Sequence, residues 1–374
     1  MYVLLMYGII SILAIISLFM NDRRNRKIES FIFVLLMVFF ALRFPLGTDI
    51  DTYNEIYSNT TNSLISAIKG IPYPDNIGYN VFMTIAKILN LDFNGYMLYF
   101  NVIIGLIIGI VCYKKSDNLL ISLVILVGSG IIQVYYSGML RQMIVMALFL
   151  YAYYRYLENN NYFMYYVIVF IAVSFQWIAL VLLFIPLIKI FYEETNGKVR
   201  IILPLIATAL LFLVMVYVVP KYAYLVPGRF GQYLHADVFS TIGLISRIIV
   251  LFGVVIPFVF ADKDELSSFD VFSVYLCYIS LLIYIVLSQN AIFSRVSDMI
   301  SIIEIILVPK LISNISNKNK SIISALLTIS INFIFLFSDI HYIANQSLKN
   351  ISLKEYPLIY VWDDINYQEL FKED

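Results

Sequence analysis

The sequence predicts an all-α fold: a polytopic integral membrane protein with about 10–12 transmembrane helices, forming a single membrane domain over residues 1–374. Three observations lead there. Hydrophobic residues make up 61% of the chain against 13% charged, with a mean hydropathy of +0.86, far outside the range of soluble domains. Apolar runs of roughly 15 to 20 residues recur between polar breaks along the whole length. Finally, Lys and Arg collect in alternate breaks, as the positive-inside rule requires of a chain that crosses repeatedly.

The apolar runs place spans at 2–20, 30–45, 94–113, 118–136, 139–157, 200–219, 241–260, 271–288, 296–313 and 321–338. The first run lacks a basic flank before it and a small-residue cleavage site after it, so it reads as a retained anchor. Residues 162–191, with Ser174, Gln176 and Trp177 at their middle, are too long for one simple span. Two short helices meeting at a polar break fit better, either crossing twice or re-entrant. Segment 77–91, "IGYNVFMTIAKILNL", is short and mixed in character, which suits an interfacial helix within an outer loop over 46–93.

Basic residues set the orientation. "NDRRNRK", "KKSD", Arg155, "KIFYEETNGKVR", Lys263, Lys310 and "NKNK" fall on one side, which the rule makes cytoplasmic. Loop 220–240 and the C-terminal tail 339–374 are then outside.

Composition excludes several classes. A net charge of zero argues against nucleic acid, whose binding needs a surplus of cations on one face. Cys112 and Cys277 sit in apolar runs and read as small core hydrophobes. With two histidines and two cysteines no metal cluster is expected. There is no phosphate-binding loop, dinucleotide fingerprint or nucleophile elbow, so no cofactor is expected.

The outer side carries the chemistry. Arg43, Arg141, Arg229, Arg247 and Arg295 fall at outer span ends or in the 220–240 loop. A membrane-embedded ionisable group is costly and is a functional candidate by default. Guanidinium keeps its charge at any working pH and grips phosphate oxygens in a bidentate fork, which suits a diphosphate at the headgroup level. Structural readings stay open beside this one: Arg295 can pair with Asp298 three residues on, and Arg247 can bond backbone carbonyls. Asp49 and Asp51 in "GTDID" match a DxD metal motif in spacing alone. A carboxylate near arginines can instead activate a hydroxyl or orient a sugar. Glu304, inside "SIIEIILVPK", is a buried acid of open role. Tyrosines near the outer loops, Tyr53 and Tyr233 among them, serve as interfacial belt or as sugar platforms.

The motifs in order resemble a known family. "LRFPLGTDIDTY" is similar to the Arg, Gly-x-Asp, Tyr signature near the second span of the EpsG and Wzy-like polysaccharide polymerases. "SGMLRQMIVMALFLYA", "GRFGQY" and "FSRVSDM" resemble their later arginine-bearing segments, and the ordered set covers most of the chain. One departure is visible: where relatives often carry a His in a Phe-His-x-Ser-Ala string, this chain has "SFQWIAL", with Gln176 in the His position. A glutamine binds a hydroxyl but cannot take a proton at neutral pH, so no general base is transferred.

The resemblance implies a GT-C-like membrane glycosyltransferase architecture. It implies a polymerase of undecaprenyl-diphosphate-linked oligosaccharide units, O-antigen or exopolysaccharide, working on the outer face of a bacterial inner membrane. Arg43, Arg141, Arg229, Arg247 and Arg295 would bind the diphosphate, with Asp49, Asp51 and Arg141 catalytic. Tyr53, Gln142, Gln176, Trp177, Tyr233 and His235 would contact sugar. The partners expected are the lipid-linked oligosaccharide, the bilayer and, as a further candidate, a chain-length regulator. A flippase or transporter of the same lipid, or a glycan ligase, is the rival reading.

Overall fold

The computed structural model describes residues 2–19, 23–42, 50–72, 76–129, 131, 139–195, 197–213, 241–287 and 291–346. Helices carry nearly all of these residues, and no strand occurs among them. The first two helices, α1 (Tyr2–Ser17) and α2 (Arg23–Leu42), lead to a segment holding three short ones: α3 (Ile50–Ser58), α4 (Leu64–Ile68) and α5 (Ile77–Ile88). Two long apolar stretches follow as α6 (Phe93–Lys115) and α7 (Leu119–Gly128), then α8 (Leu140–Ala152), which continues into a π-helical turn over Tyr153–Leu157. The later helices are α9 (Tyr162–Phe175), a 3₁₀ helix (Trp177–Phe184), α10 (Ile185–Glu194), α11 (Lys198–Leu213), α12 (Thr241–Phe260), α13 (Ser268–Leu287), α14 (Ala291–Ser301), α15 (Glu304–Ser313) and α16 (Lys318–Gln346).

Among the described residues three helical stretches, Phe93–Lys115, Ser268–Ile285 and Lys318–Ser338, are long and apolar enough to cross a membrane by length and composition alone. Five shorter apolar helices accompany them.

Local chemistry explains the boundaries. Asp92 caps α6 by accepting from Gly95 N at 2.7 Å, and Lys114 and Lys115 close its last turn, where the helix dipole favours cations. Asn118 caps α7 through Ile121 N at 3.0 Å, and Asn161 caps α9 through Met164 N at 3.1 Å.

The core sits around α7 and α8. The sequence of α7, "LLISLVILVG", is hydrophobic on every face, which is the signature of an enclosed helix; all ten of its residues are buried. It packs against α1, α2, α15 and α16. Gly128 permits the closest approach: a Cβ there would lie 2.5 Å from Asn332 Cβ and 2.9 Å from the Tyr7 ring. Tyr7 in turn donates its hydroxyl to the Ile329 carbonyl at 2.7 Å, so α1, α7 and α16 are fastened at one level.

The structure corrects two details of the sequence reading. Residues 296–313 form two helices, with a break at Ile302 and Ile303. There the backbone bonds tighten to i−3, with Ile303 N to Ile300 O and Ile305 N to Ile302 O at 3.3 Å each, and Tyr154 adds its hydroxyl to Ile303 O at 3.0 Å. Glu304 thereby becomes the first residue of α15, where the positive helix end favours a carboxylate. The last helix also runs on to Gln346, eight residues past the predicted span end at 338.

The 162–191 stretch forms a hairpin with its apex at Gln176. Tyr165 donates its hydroxyl to Leu182 O at 2.8 Å across the two arms, and Lys189 Nζ reaches Leu157 O at 3.2 Å beside the turn that begins α9.

Candidate functional site

The helices sort their polar groups to two ends. At one end Lys115 meets Glu158 at 2.5 Å, Lys310 meets Asp270 at 2.8 Å, and Lys189 meets Glu193 at 3.5 Å. The Asp270 carboxylate is almost fully enclosed, and its second oxygen accepts from Ser267 N and Ser267 Oγ. These are the cations that the sequence assigns to the cytoplasmic side.

The other end gathers the first turn of α8, the hairpin apex, the start of α14 and the short helices α3 and α5. Arg141 lies in the first turn of α8, half-buried, about 21 Å along the helix from Arg155. Gln142 beside it is 1% exposed, and its Nε2 donates to the Arg295 carbonyl at 3.1 Å. That bond fixes α8 against α14 and brings the two arginine-bearing turns together. Arg295 is half-buried on the same level.

A tyrosine network backs this corner. Tyr96 at the start of α6 donates to the Tyr79 hydroxyl of α5 at 2.8 Å, with both rings fully buried. The Tyr53 ring packs edge-on against Tyr79 with centroids 6.0 Å apart. Burial, together with the Tyr96 and Tyr53 phenols, holds the Tyr79 hydroxyl well above the ordinary tyrosine range, while the Arg141 guanidinium pulls it the other way. Arg141 therefore shares a local field with Tyr79.

Alpha-5 reaches this position because residue 78 has no side chain. A Cβ there would stand 2.1 Å from Ser174 Oγ and 3.1 Å from the Ser174 carbonyl carbon. Gly78 thus sets the start of α5 against the end of α9, two residues before the Gln176 apex. Asn101 completes the frame by donating to Ala41 O at 3.0 Å, which ties α6 to the C-terminal end of α2.

The predicted residues fall as follows. Arg141, Gln142 and Arg295 are brought together by the α8 to α14 bond. Gln176 is buried as the residue between α9 and the 3₁₀ helix, and Trp177 begins that helix with 36% of its surface exposed. Tyr53 is 4% exposed and packs inside the protein. Asp51 and Arg247 lie on α3 and α12, with their side chains outside the described set. Arg43, Asp49, Arg229, Tyr233 and His235, with the whole 220–240 loop and residues 347–374, lie outside the described residues. Among the described residues no group of three or more His, Cys, Asp or Glu side chains gathers as a metal site.

Sequence reasoning passed over Tyr79, Tyr96 and Gly78. The available signal was the polar stripe of Asn80 and Thr84, four apart on α5 and both fully buried, which marks a helix packed into protein as well as lying at an interface.

No curated protein and no solved structure matches the chain. The sequence pattern of the EpsG family matches residues 26–358, a range that takes in both arginine-bearing turns, the hairpin apex and the tyrosine network. The chain belongs to the EpsG family.

Proposed function

We propose that this protein polymerises lipid-diphosphate-linked oligosaccharide units on the outer face of the bacterial inner membrane. The observation that carries the reading is the bond from Gln142 to the Arg295 carbonyl, which draws two arginine-bearing turns from distant parts of the sequence to one corner.

In the reaction, the bond between the anomeric carbon of the growing glycan and its diphosphate oxygen breaks. The leaving undecaprenyl diphosphate takes the electron pair. The anomeric carbon bonds to a hydroxyl oxygen of the next lipid-linked unit, and that hydroxyl gives up its proton. A diphosphate is a good leaving group, so the protein must chiefly neutralise the charge growing on it and align the acceptor. Arg141 and Arg295 take the first task, joined by Arg43, Arg229 and Arg247. Asp49 or Asp51 takes the acceptor proton. No nucleotide enters, because the donor is already activated.

The test is reconstitution of the purified protein in liposomes with a defined undecaprenyl-diphosphate oligosaccharide, no nucleotide and excess EDTA, with products resolved on a gel. A ladder spaced by one repeat unit is expected, and Arg141→Ala should abolish it without lowering membrane levels. Full-length polymer from Arg141→Ala removes that residue from the mechanism.

A transporter reading has one observation in its favour. A small pocket of about 10 Å³ beside the helix break is lined by Ser280, Ser297, Ser301 and Glu304 together with Val250, Leu251, Cys277 and Leu281, and broken helices often line transport sites. Movement of the lipid-linked sugar between leaflets without a ladder would select that reading.

A further inference from the structure

Two buried glutamine side chains leave an acceptor without a donor. Gln142 is 1% exposed and Gln176 is 9% exposed. In each the amide oxygen Oε1 is shut off from solvent and has no hydrogen-bond partner among the described residues. An orphaned buried acceptor forfeits its hydration without replacement, so a folded chain rarely keeps one unless something else supplies the donor. Two of them at one end of one hairpin call for a common explanation.

The topology sets them at one height. Helices α8 and α9 are joined by only four residues, 158–161, and pack antiparallel. Gln142 lies roughly 24 Å along its helix from that connection, and Gln176 lies roughly 22 Å along the other. Alpha-14 packs against both α8 and the 3₁₀ helix that follows Gln176, bridging the two positions. The helix is interrupted there as well: Gln176 adopts an extended backbone (φ −156°, ψ 118°) between two helices. Trp177, next in sequence, keeps a third of its surface exposed.

We infer that Gln142 and Gln176 form a sugar subsite that reads hydrogen-bond donors: it takes a neutral ring presenting hydroxyl or amide N–H groups, with Trp177 as its apolar wall. This rests on the polymerase reading and names the sugar chemistry of that site. The chemistry is one-sided. The free atoms are carbonyl oxygens, and the Gln142 nitrogen is already committed to Arg295 O. A sugar hydroxyl can donate to them, whereas a carboxylate or phosphate brings only further acceptors. The charged part of the substrate then belongs with the arginines and the neutral ring with the amides. Glutamine in the hairpin apex thus serves recognition, where a titrating side chain would serve proton transfer.

The test separates sugar from diphosphate. Trp177 and Trp362 are the chain's two tryptophans, so Trp362→Phe leaves Trp177 as sole fluorescence reporter beside the site. The probes are a short-chain prenyl diphosphate without sugar and the same lipid carrying glucose, galactose or N-acetylglucosamine. The reporter protein should bind at least one sugar-bearing probe at least tenfold more tightly than the sugarless lipid. Gln176→Leu should reduce that preference about five- to tenfold, leaving affinity for the sugarless lipid unchanged, whereas Gln142→Leu, which also breaks the bond to Arg295 O, should reduce the preference by as much and weaken the sugarless lipid as well. Gln176→Leu should also melt at or slightly above the wild-type temperature, because it replaces an orphaned acceptor by an apolar group of similar size.

A sugar preference that survives both substitutions overturns the subsite and leaves the diphosphate reading standing. Gln176→Leu melting several degrees lower with the preference intact also overturns it, assigning the residue to structure. No response to any probe, sugarless lipid included, overturns the polymerase reading and the subsite together.

Discussion

Replacing Gly78 by alanine tests how the outer corner is held. The new Cβ would stand 2.1 Å from Ser174 Oγ, so that hydroxyl must swing more than an ångström away. In doing so it gives up its 2.6 Å bond to Ile171 O, worth about 1 kcal/mol. The Ser174 carbonyl carbon, 3.1 Å from the new atom, cannot rotate aside and forces α5 and α9 apart by a few tenths of an ångström. Overpacking of this kind costs about 1–3 kcal/mol. The sum, about 3 kcal/mol, corresponds to a fall of about 4 °C in thermal midpoint for a chain of this size. Since α5 carries Tyr79 beside Arg141, polymer synthesis should fall at least about tenfold in the same variant. Pairing it with Ser174→Ala removes the 2.1 Å clash but leaves the backbone one and deletes the bond to Ile171 O, so little of the lost stability should return. Differential scanning fluorimetry in detergent and the liposome ladder read both effects. Wild-type melting and wild-type polymer from Gly78→Ala would refute the packing of α5 on α9 and the positioning of Tyr79 that depends on it.

Three further substitutions probe separate links. Gln142→Leu strands the Arg295 carbonyl and loses the α8 to α14 bond, so it should cost about 1–2 kcal/mol in thermal stability. Lys310→Met should cost about 2–3 kcal/mol by removing the partner of the enclosed Asp270 carboxylate. The double variant Asp270→Asn/Lys310→Met should lose less than Lys310→Met alone, which a double-mutant cycle of melting temperatures checks. Tyr57 donates to Leu91 O at 2.7 Å, and its hydroxyl is pushed up to about 12 by burial, with Asp92 adding to the effect. A phenol harder to ionise when folded contributes stability that is whole below about pH 10 and is lost as pH rises toward 12. Tyr57→Phe should therefore lower the neutral-pH midpoint by about 2 °C and shallow the alkaline loss, as pH-dependent melting would show.

The helices were legible and their surroundings were not, for one physical reason. In a membrane protein both the bilayer and the protein interior are apolar, so hydrophobic runs locate helices without saying which medium surrounds them. Alpha-7 is buried throughout, whereas Leu5, Ile12, Phe31 and Val34 on α1 and α2 are largely exposed, yet all belong to comparably apolar stretches. The break at Ile302 and Ile303 was illegible because the apolar run around it carries no Gly or Pro there, and the side chain that bonds Ile303 O, Tyr154, lies 149 residues away. At the candidate site, Arg141, Gln142 and Gln176 stood out as polar groups in apolar runs. Tyr79 and Tyr96 did not, because tyrosine also populates the headgroup belt and the chain contains 30 of them. Gly78 was silent for a different reason: a glycine needed for close approach leaves no trace until the opposing Ser174 is known.

The two ends of the bundle are fastened by different kinds of contact. At the Lys115, Lys189 and Lys310 end each cation meets a carboxylate from its own or a neighbouring helix, so charge is settled within the fold and serves to hold helix ends in register. At the Arg141 end the contacts that position the corner come from neutral groups: an amide to a carbonyl, a phenol to a phenol, a glycine against a serine. These contacts set α8 against α14 and α5 against α6 and α9 through backbone and neutral side-chain groups from distant parts of the sequence. The amide oxygens of Gln142 and Gln176 lie in that frame with no donor among the described residues, and the proposed function leaves them for a ligand to satisfy.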